Sequence, residues 1–396
     1  MKHLWIIGTG MGGGTLTADG QRATEDAQAL FGSPRLTAAL SGAGQRTFPL
    51  YDAEKVCACM EHERIDKAAL LVSGDTGFYS AAAGAARGLP DTEVTLVPGI
   101  SSVSYFFARL GKSWQDAKLV SCHGRSANLV DAVRRNALAF ALTGGNCAEL
   151  AVSLCRCGFG ALTVHVGENL GAAEEVVSTT TVETLAKRQT ASLTVLLIEN
   201  PAADARVQSG IPDDAFLRGD VPMTKAEVRA VTMSQLGVKP TDVCWDIGCG
   251  TGSVTVEMAL AAYEGHVWAV DRAADAVVLT DENCRRFQVG NVTAACGIAP
   301  AALADLPPAD RVFIGGSGGE MASLFDLVWA KNPKARIAVN AIALESAAAA
   351  LAAFRSFGLE PELVQFSVAR GRAAGGLHLM MGQNPIYLLC GGKADE

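Results

Sequence analysis

Three glycine-rich runs carry most of the chemistry open to this chain. In Val243-Cys244-Trp245-Asp246-Ile247-Gly248-Cys249-Gly250-Thr251-Gly252-Ser253 an apolar stretch runs into glycines and then into helix-forming residues. Glycines let a backbone approach a ligand closely, and a helix start offers free N–H groups. A dinucleotide fold would space them G-x-G-x-x-G, whereas Gly248, Gly250 and Gly252 read G-x-G-x-G. Asp246 would repel a pyrophosphate but attract an amino-acid ammonium group. Asp271, which closes the next apolar run at 267–270, can accept hydrogen bonds from both hydroxyls of a ribose. Together these features describe a site for S-adenosylmethionine. In the competing reading the glycines make a tight turn and Asp271 caps the following helix.

The opening run Gly8-Thr9-Gly10-Met11-Gly12-Gly13 does match G-x-G-x-x-G, which taken alone suggests a nicotinamide or flavin oxidoreductase. The acid that should end a second strand about twenty residues on is missing, because Glu25 and Asp26 fall inside a helical stretch. The third run, Gly315-Gly316-Ser317-Gly318-Gly319, spells the nucleophile elbow of an α/β hydrolase, with Glu345 and His378 following in hydrolase order. Its glycines equally suit a loop that leaves a bulky substrate room beside a methyl donor.

These runs must be held by an alternation of strands and helices. Apolar β-type runs at 4–7, 68–72, 94–97, 118–121, 139–142 and 193–198 alternate with Ala-rich segments of helical period, which predicts an α/β first half. A polar, proline-punctuated stretch over 200–222 reads as a linker, with the break near Ser209. The alternation then resumes with a helix at 225–236 and strands at 243–247, 266–270, 292–295, 311–314, 336–340 and 386–389. Domains are expected at 1–205 and 206–396.

Composition narrows the function classes. A chain of 396 residues exceeds what one hydrophobic core usually serves. With 49% hydrophobic and 19% charged residues it is globular, and its net charge of -8 argues against a nucleic-acid footprint. No apolar run reaches membrane-spanning length and Leu4 to Ile7 is too short for a signal sequence, so no membrane association is expected and a cytoplasmic enzyme is. The eleven cysteines then read as thiols, and the C-x-C pairs Cys57/Cys59 and Cys155/Cys157 lack zinc-site spacing, so no metal is expected.

Taken in order, the motifs resemble the family of decarboxylating precorrin C5,15-methyltransferases of cobalamin biosynthesis. The first half is similar to tetrapyrrole methylases through Ile7-Gly8-Thr9-Gly10-Met11-Gly12, Ser73-Gly74-Asp75-Thr76-Gly77-Phe78-Tyr79-Ser80, Val97-Pro98-Gly99-Ile100-Ser101-Ser102, Ser121-Cys122-His123-Gly124-Arg125 and Val166-Gly167-Glu168-Asn169-Leu170-Gly171. The family usually has proline where Met11 and Thr76 stand. The second half is similar at Val221-Pro222-Met223-Thr224-Lys225, at Asp246 to Gly252, at Gly297-Ile298-Ala299-Pro300 and at the third glycine run. The resemblance implies a two-lobed tetrapyrrole-methylase fold, then a doubly wound, Rossmann-like class I methyltransferase domain. It implies one S-adenosylmethionine per domain, methylation at C5 and C15, loss of the C12 acetate carboxylate, and a homo-oligomer. By the same resemblance Gly8, Gly10, Gly12, Asp75, Thr76, Phe78, Ser101 and Ser102 belong to the first cofactor site. Thr224, Asp246, Gly248, Cys249, Gly250, Thr251, Gly252, Asp271 and Ala299 belong to the second.

An acidic protein can bind the implied polycarboxylate only where cations gather, most efficiently as bidentate arginines. His123 and Arg125 in the first half, with Ser317, Arg370, Arg372 and His378 in the second, are therefore the substrate candidates. Arg370-Gly371-Arg372 has a competing reading as a solvated basic turn. His3, His62, His165 and His266 stand singly and read as structural or surface residues.

Overall fold

The computed structural model describes residues 2–80, 89, 91–123, 127–207 and 209–392. These form two compact units, one of 1–126, 136–151 and 161–201, the other of 127–135, 152–160 and 202–396.

The first unit carries two five-stranded sheets. One is wholly parallel, in the order β3-β2-β4-β1-β5, with β1 Lys2–Gly8, β2 Ala29–Phe31, β3 Arg46–Phe48, β4 Lys67–Val72 and β5 Thr92–Val97. Period-two alternation sorts β1 between two layers. Leu4 and Ile6 pack with Phe31, Val56 and Met60, while Ile7 packs with Leu30, Leu71 and Ala23. Helices α1 Ala18–Asp26, α2 Pro34–Leu40 and α3 Ala53–His62 start at Thr17, Ser33 and Asp52, whose side chains accept backbone N–H bonds as N-caps. The second sheet, β6-β7-β10-β8-β9, is mixed. It comprises β6 Lys118–Ser121, β7 Leu138–Leu142, β8 Thr163–Glu168, β9 Val176–Thr181 and β10 Thr194–Glu199. Helices α4 Ser102–Leu110, α6 Cys147–Arg156 and α7 Val182–Leu185 intervene, while α5 Leu129–Arg135 and residues 152–156 of α6 belong to the second unit. Phe106 and Phe107 of α4 pack with Phe140 of β7 and with Val195 and Leu197 of β10.

The second unit is a seven-stranded sheet in the order β13-β12-β11-β14-β15-β19-β16. Its strands are β11 Val243–Ile247, β12 His266–Asp271, β13 Val292–Cys296, β14 Arg311–Ile314, β15 Arg336–Ala341, β16 Glu362–Phe366 and β19 Ile386–Gly391. All are parallel except β19, which runs against both its neighbours. Alternate residues of the same strands enter opposite layers. Trp245, Ile247, Val312 and Ile314 meet Phe325, Trp329 and Phe354 of α11 Met321–Lys331 and α12 Leu344–Ser356. Cys244 and Phe313 meet residues of α8 Ala226–Leu236 and α9 Ser253–Ala261. Helices therefore cover both faces, as a doubly wound sheet requires. Helix α10 Ala274–Arg286 links β12 to β13. No described helix is long and apolar enough to cross a membrane.

A hairpin of β17 Ala369–Ala374 and β18 Leu377–Gly382 has every residue exposed. The sequence does not signal these strands, because their glycines and mixed residues show no apolar alternation.

Candidate functional site

In the first unit the loops that leave β1, β4 and β5 cross at three glycines. A Cβ on Gly8 would stand 2.7 Å from both the Gly74 carbonyl oxygen and the Gly99 nitrogen, and one on Gly99 would collide with Gly8 and Gly74. Gly10 and Gly74 exchange backbone hydrogen bonds of 3.0 Å in each direction. Asp75 fastens the crossing, since its Oδ1 accepts from the Gly77 N–H at 2.8 Å and its Oδ2 from the Gly99 N–H at 3.1 Å. Gly171 completes the set. With φ of +77°, it leaves no room for a Cβ, which would lie 2.5 Å from the Met11 Cβ and carbonyl oxygen. These loops stand at the carboxyl ends of parallel strands, where α/β ligands collect.

Several candidates of this half serve the scaffold. Ser101 is the N-cap of α4, its Oγ accepting from the Ser104 N–H at 3.1 Å, and Ser102 opens that helix. Phe78 packs toward Phe140 with ring centroids 6.3 Å apart. Thr76 is buried and Gly12 has a φ of +143°. His123 is exposed just past β6. Arg125 lies outside the described residues.

In the second unit a cavity of about 920 Å³ opens over the carboxyl ends of the parallel strands. That volume suits a small-molecule site. The chain leaves β11 toward β12 on one side, and leaves β13 toward β14 on the other, so the cavity lies at the sheet's switch point. Thr224, Gly248, Cys249, Gly250, Asp271, Ala299 and Ser317 all line it.

The loop after β11 is glycine-rich for reasons of backbone packing. Gly248, Gly250 and Gly252 have φ of +77°, +55° and +75°, and added Cβ atoms would lie 2.9 Å from the Gly316 nitrogen, 2.6 Å from the Pro222 oxygen and 2.8 Å from the Thr280 Cα. Both reasons demand glycine. Gly316, Gly318 and Gly319, by contrast, have open space where a Cβ would project. Asp271 braces the same loop, accepting from the Gly250 N–H through Oδ2 and the Ala273 N–H through Oδ1, each at 3.0 Å.

Asp246 lies elsewhere than its motif suggests. It is fully buried and does not line the cavity, with Oδ2 accepting from the Thr255 hydroxyl at 2.5 Å and Oδ1 unpartnered among the described residues. Burial, with the Asp271 charge adding to it, pushes its carboxyl up to about 7. Its printed partner belongs to α9, and it presents no oxygen to the cavity. Thr251 and Gly252 likewise face inward and do not line the cavity, because the loop's left-handed turns aim only its first half outward. Burial also pushes the Cys249 thiol far above its usual range, which makes it a wall and not a nucleophile.

The hairpin candidates stand off the cavity as well. Arg370 is committed to a two-pronged pair with Glu227 at 2.9 and 2.6 Å and stands 3.0 Å from Asp213, away from the cavity lining. Two carboxylates have claimed the guanidinium. Arg372 and His378 sit exposed on opposite strands and do not line the cavity either. Ser317 accepts from the Gly319 N–H at 3.4 Å, and no histidine stands among the described cavity residues, so the hydrolase arrangement is not assembled.

The sequence reading missed the device that holds the cavity's outer wall, residues 219–224. Fully buried Arg229 donates to the carbonyls of Thr224 and Ile211 and, through Nε, to Glu257 Oε1 at 2.7 Å. Glu257 also accepts the Gly210 and Ile211 N–H groups at 2.9 Å each. A charged residue in a helix without a marked apolar face gives no sequence sign that it points inward. Glu320 and Asn340 also line the cavity and were missed, although their places directly after a glycine run and at a strand end were a usable sign.

Comparison with known proteins divides the chain into two consecutive parts. Residues 3–186 match the family described as Tetrapyrrole (Corrin/Porphyrin) Methylases, and residues 214–391 match the Precorrin methyltransferase domain. A precorrin-6Y C(5,15)-methyltransferase [decarboxylating] from a Sinorhizobium species is 34% identical, over 78% of this chain and 76% of its own. A probable cobalt-precorrin-6B C(15)-methyltransferase (decarboxylating) from Pyrobaculum calidifontis is 44% identical over 46% of this chain and 94% of its own. A crystal structure of precorrin-6y C5,15-methyltransferase from Geobacter metallireducens matches at 34% identity and a TM-score of 0.44, covering 46% of this chain and 97% of that one.

Proposed function

The chain belongs to the decarboxylating precorrin-6Y C(5,15)-methyltransferase family, and from that membership we propose a division of labour between its two units. It is an S-adenosylmethionine-dependent methyltransferase of cobalamin biosynthesis. We assign C5 methylation to residues 1–205, and C15 methylation with loss of the C12 acetate carboxylate to residues 206–396. The cytoplasm is our proposed location.

The observation that carries this reading is the cavity over the switch point of the second unit, with Asp271 at one strand end and a glycine loop at the next. Its residues fit the methyl donor. The first half of the loop after β11 presents backbone to the cavity, Asp271 keeps a carboxylate there, and Thr224 and Ala299 close the sides. When bound, the cosubstrate supplies a methyl group already activated as a sulfonium. The protein's work is then chiefly positioning, because an electron-rich meso carbon is its own nucleophile. Phe313, Ile342 and Ile386 line the side nearer β14, β15 and β19, and such an apolar wall favours discharge of a carboxylate as carbon dioxide.

Two measurements test the reading. Isothermal titration of the intact chain with S-adenosylmethionine should give two sites, one per unit. Incubation with precorrin-6Y should give a product that has gained two methyl groups and lost one carbon dioxide. A change in NAD or FAD fluorescence, with no methyl-donor site in the first unit, would instead favour the oxidoreductase reading of Gly8 to Gly13.

A further inference from the structure

Glu320 stands at a place in the cavity that the proton balance of the reaction requires to be filled. This step rests on the assignment of decarboxylating C15 methylation to the second unit. C15 gives up a proton and gains a methyl, with the sulfur keeping the pair of the broken S–CH3 bond. At C12 the bond between methylene and carboxylate breaks, carbon dioxide leaves, and the bonding pair enters the conjugated ring. Converting that methylene to a methyl consumes one proton. Sulfonium and carboxylate charges cancel, so one proton must leave C15 and one must reach the C12 side chain.

We propose that Glu320 is the catalytic residue that carries this proton. Of the residues that line the cavity, Thr224, Gly248, Cys249, Gly250, Asp271 and Ala299 occupy the half over β11, β12 and β13, which the methyl donor takes. Arg272 directly after β12, Asp275 and Glu282 of α10, and Asp220 of the segment whose Pro222 meets Gly250 line that same side. The reacting edge of the macrocycle is left the half over β14, β15 and β19, bounded by Gly315 to Gly318, Glu320, Asn340, Ile342 and Ile386. Glu320 is the one ionisable side chain in that half among the described residues. Its backbone is fixed, with its N–H donating to the Ser317 carbonyl at 3.0 Å and its carbonyl accepting from the Leu324 N–H at 3.0 Å. The Ser323 hydroxyl donates to Oε2 at 3.0 Å, and the side chain is otherwise exposed at the rim of the cavity. A carboxylate held by one oxygen and open at the other is built to accept and return a proton. The loop just before it presents Gly316 and Gly318 to open space, which lets the substrate come close.

The test uses the full chain with precorrin-6Y and S-adenosylmethionine. Glu320→Gln should lower the rate of C15 methylation with decarboxylation by about a hundredfold or more, the scale of a lost general acid–base. C5 methylation and both methyl-donor dissociation constants should stay within about twofold. Glu320→Asp should recover part of the rate. An isomer with the product's mass but a different absorption spectrum, methylated at C15 before the proton has moved, should build up in Glu320→Gln. Ser323→Ala, which keeps the carboxylate but frees its Oε2, should lower the same rate by less than Glu320→Gln does. Turnover of Glu320→Gln within threefold of the wild type would overturn the proposal. So would a loss of methyl-donor affinity in Glu320→Gln, since that marks the residue as structural. A wild-type chain that methylates C5 but neither decarboxylates nor methylates C15 would overturn the parent reading, and this one with it.

Discussion

Replacing Asp246 by Asn should flatten a pH dependence of stability that the wild type owes to one buried carboxyl. Asp246 is fully buried, holds one hydroxyl donor on Oδ2, and is pushed up to about 7 by burial and by Asp271. Below that value the native group is a neutral acid. The unfolded chain, with an ordinary aspartate near 4, is already ionised. The native state therefore binds the extra proton, and stability falls with rising pH by about 1.4 kcal/mol per unit between roughly pH 4 and 7 before levelling off. Asparagine is close in shape to the neutral acid, can accept from Thr255 through its oxygen, and does not titrate. Relative to the wild type, Asp246→Asn should thus gain about 2–3 kcal/mol between pH 5 and pH 8. Urea unfolding followed by tryptophan fluorescence checks this, because Trp245, Trp268 and Trp329 report on the second unit. Parallel pH profiles for the two proteins, within about 0.5 kcal/mol throughout, would refute the argument that this carboxyl is desolvated and neutral at low pH.

Single substitutions should also separate the two activities. Asp75→Ala frees the Gly77 and Gly99 N–H groups and should impair C5 methylation alone, whereas Asp271→Ala removes the brace on Gly250 and should suppress C15 methylation and decarboxylation together. Mass spectrometry of the products checks the pair, with a decarboxylated, singly methylated product expected from Asp75→Ala. Charge-assisted hydrogen bonds are worth roughly 1.5–3 kcal/mol each, so methyl-donor affinity in the second unit of Asp271→Ala should fall by tens-fold or more, read by titration. Ser317→Ala should keep turnover and the wild type should resist serine-reactive phosphonates, since no histidine stands with Ser317 among the described cavity residues. Arg229→Met leaves Glu257 buried without its partner and should lower the second unit's stability by about 3–5 kcal/mol, measured by urea unfolding.

Much of the scaffold was legible because its signals are local. Strands at 243–247 and 118–121 are where the apolar runs stand, with bounds unchanged, and 193–198 shifts by one residue to Thr194–Glu199. The short β2 and β3, the polar β9, the hairpin and β16 escaped for want of apolar pattern, and β8 Thr163–Glu168 escaped because His165 and Gly167 interrupt its apolar run. At the site, Gly248, Gly250 and Asp271 could be chosen from spacing alone, because a turn at positive φ and an acid at a strand end are both written in residue type.

What the sequence determined by itself was the alternation of elements, the positions of the glycine turns and the family, each of which depends on near neighbours in the chain. The tertiary structure decided which polar groups of those motifs meet the cavity. Asp246 and Asp271 are both acids tied to adjacent strand ends, yet one is sealed under the loop and the other lines the cavity. Arg370 is drawn off by Glu227, which stands 143 positions earlier in the chain, and Arg229 is fully buried against Glu257. Burial and pairing at such separations arise from how the layers stack. A side chain's charge state and its access to ligand follow from that stacking, and residue type alone does not carry them.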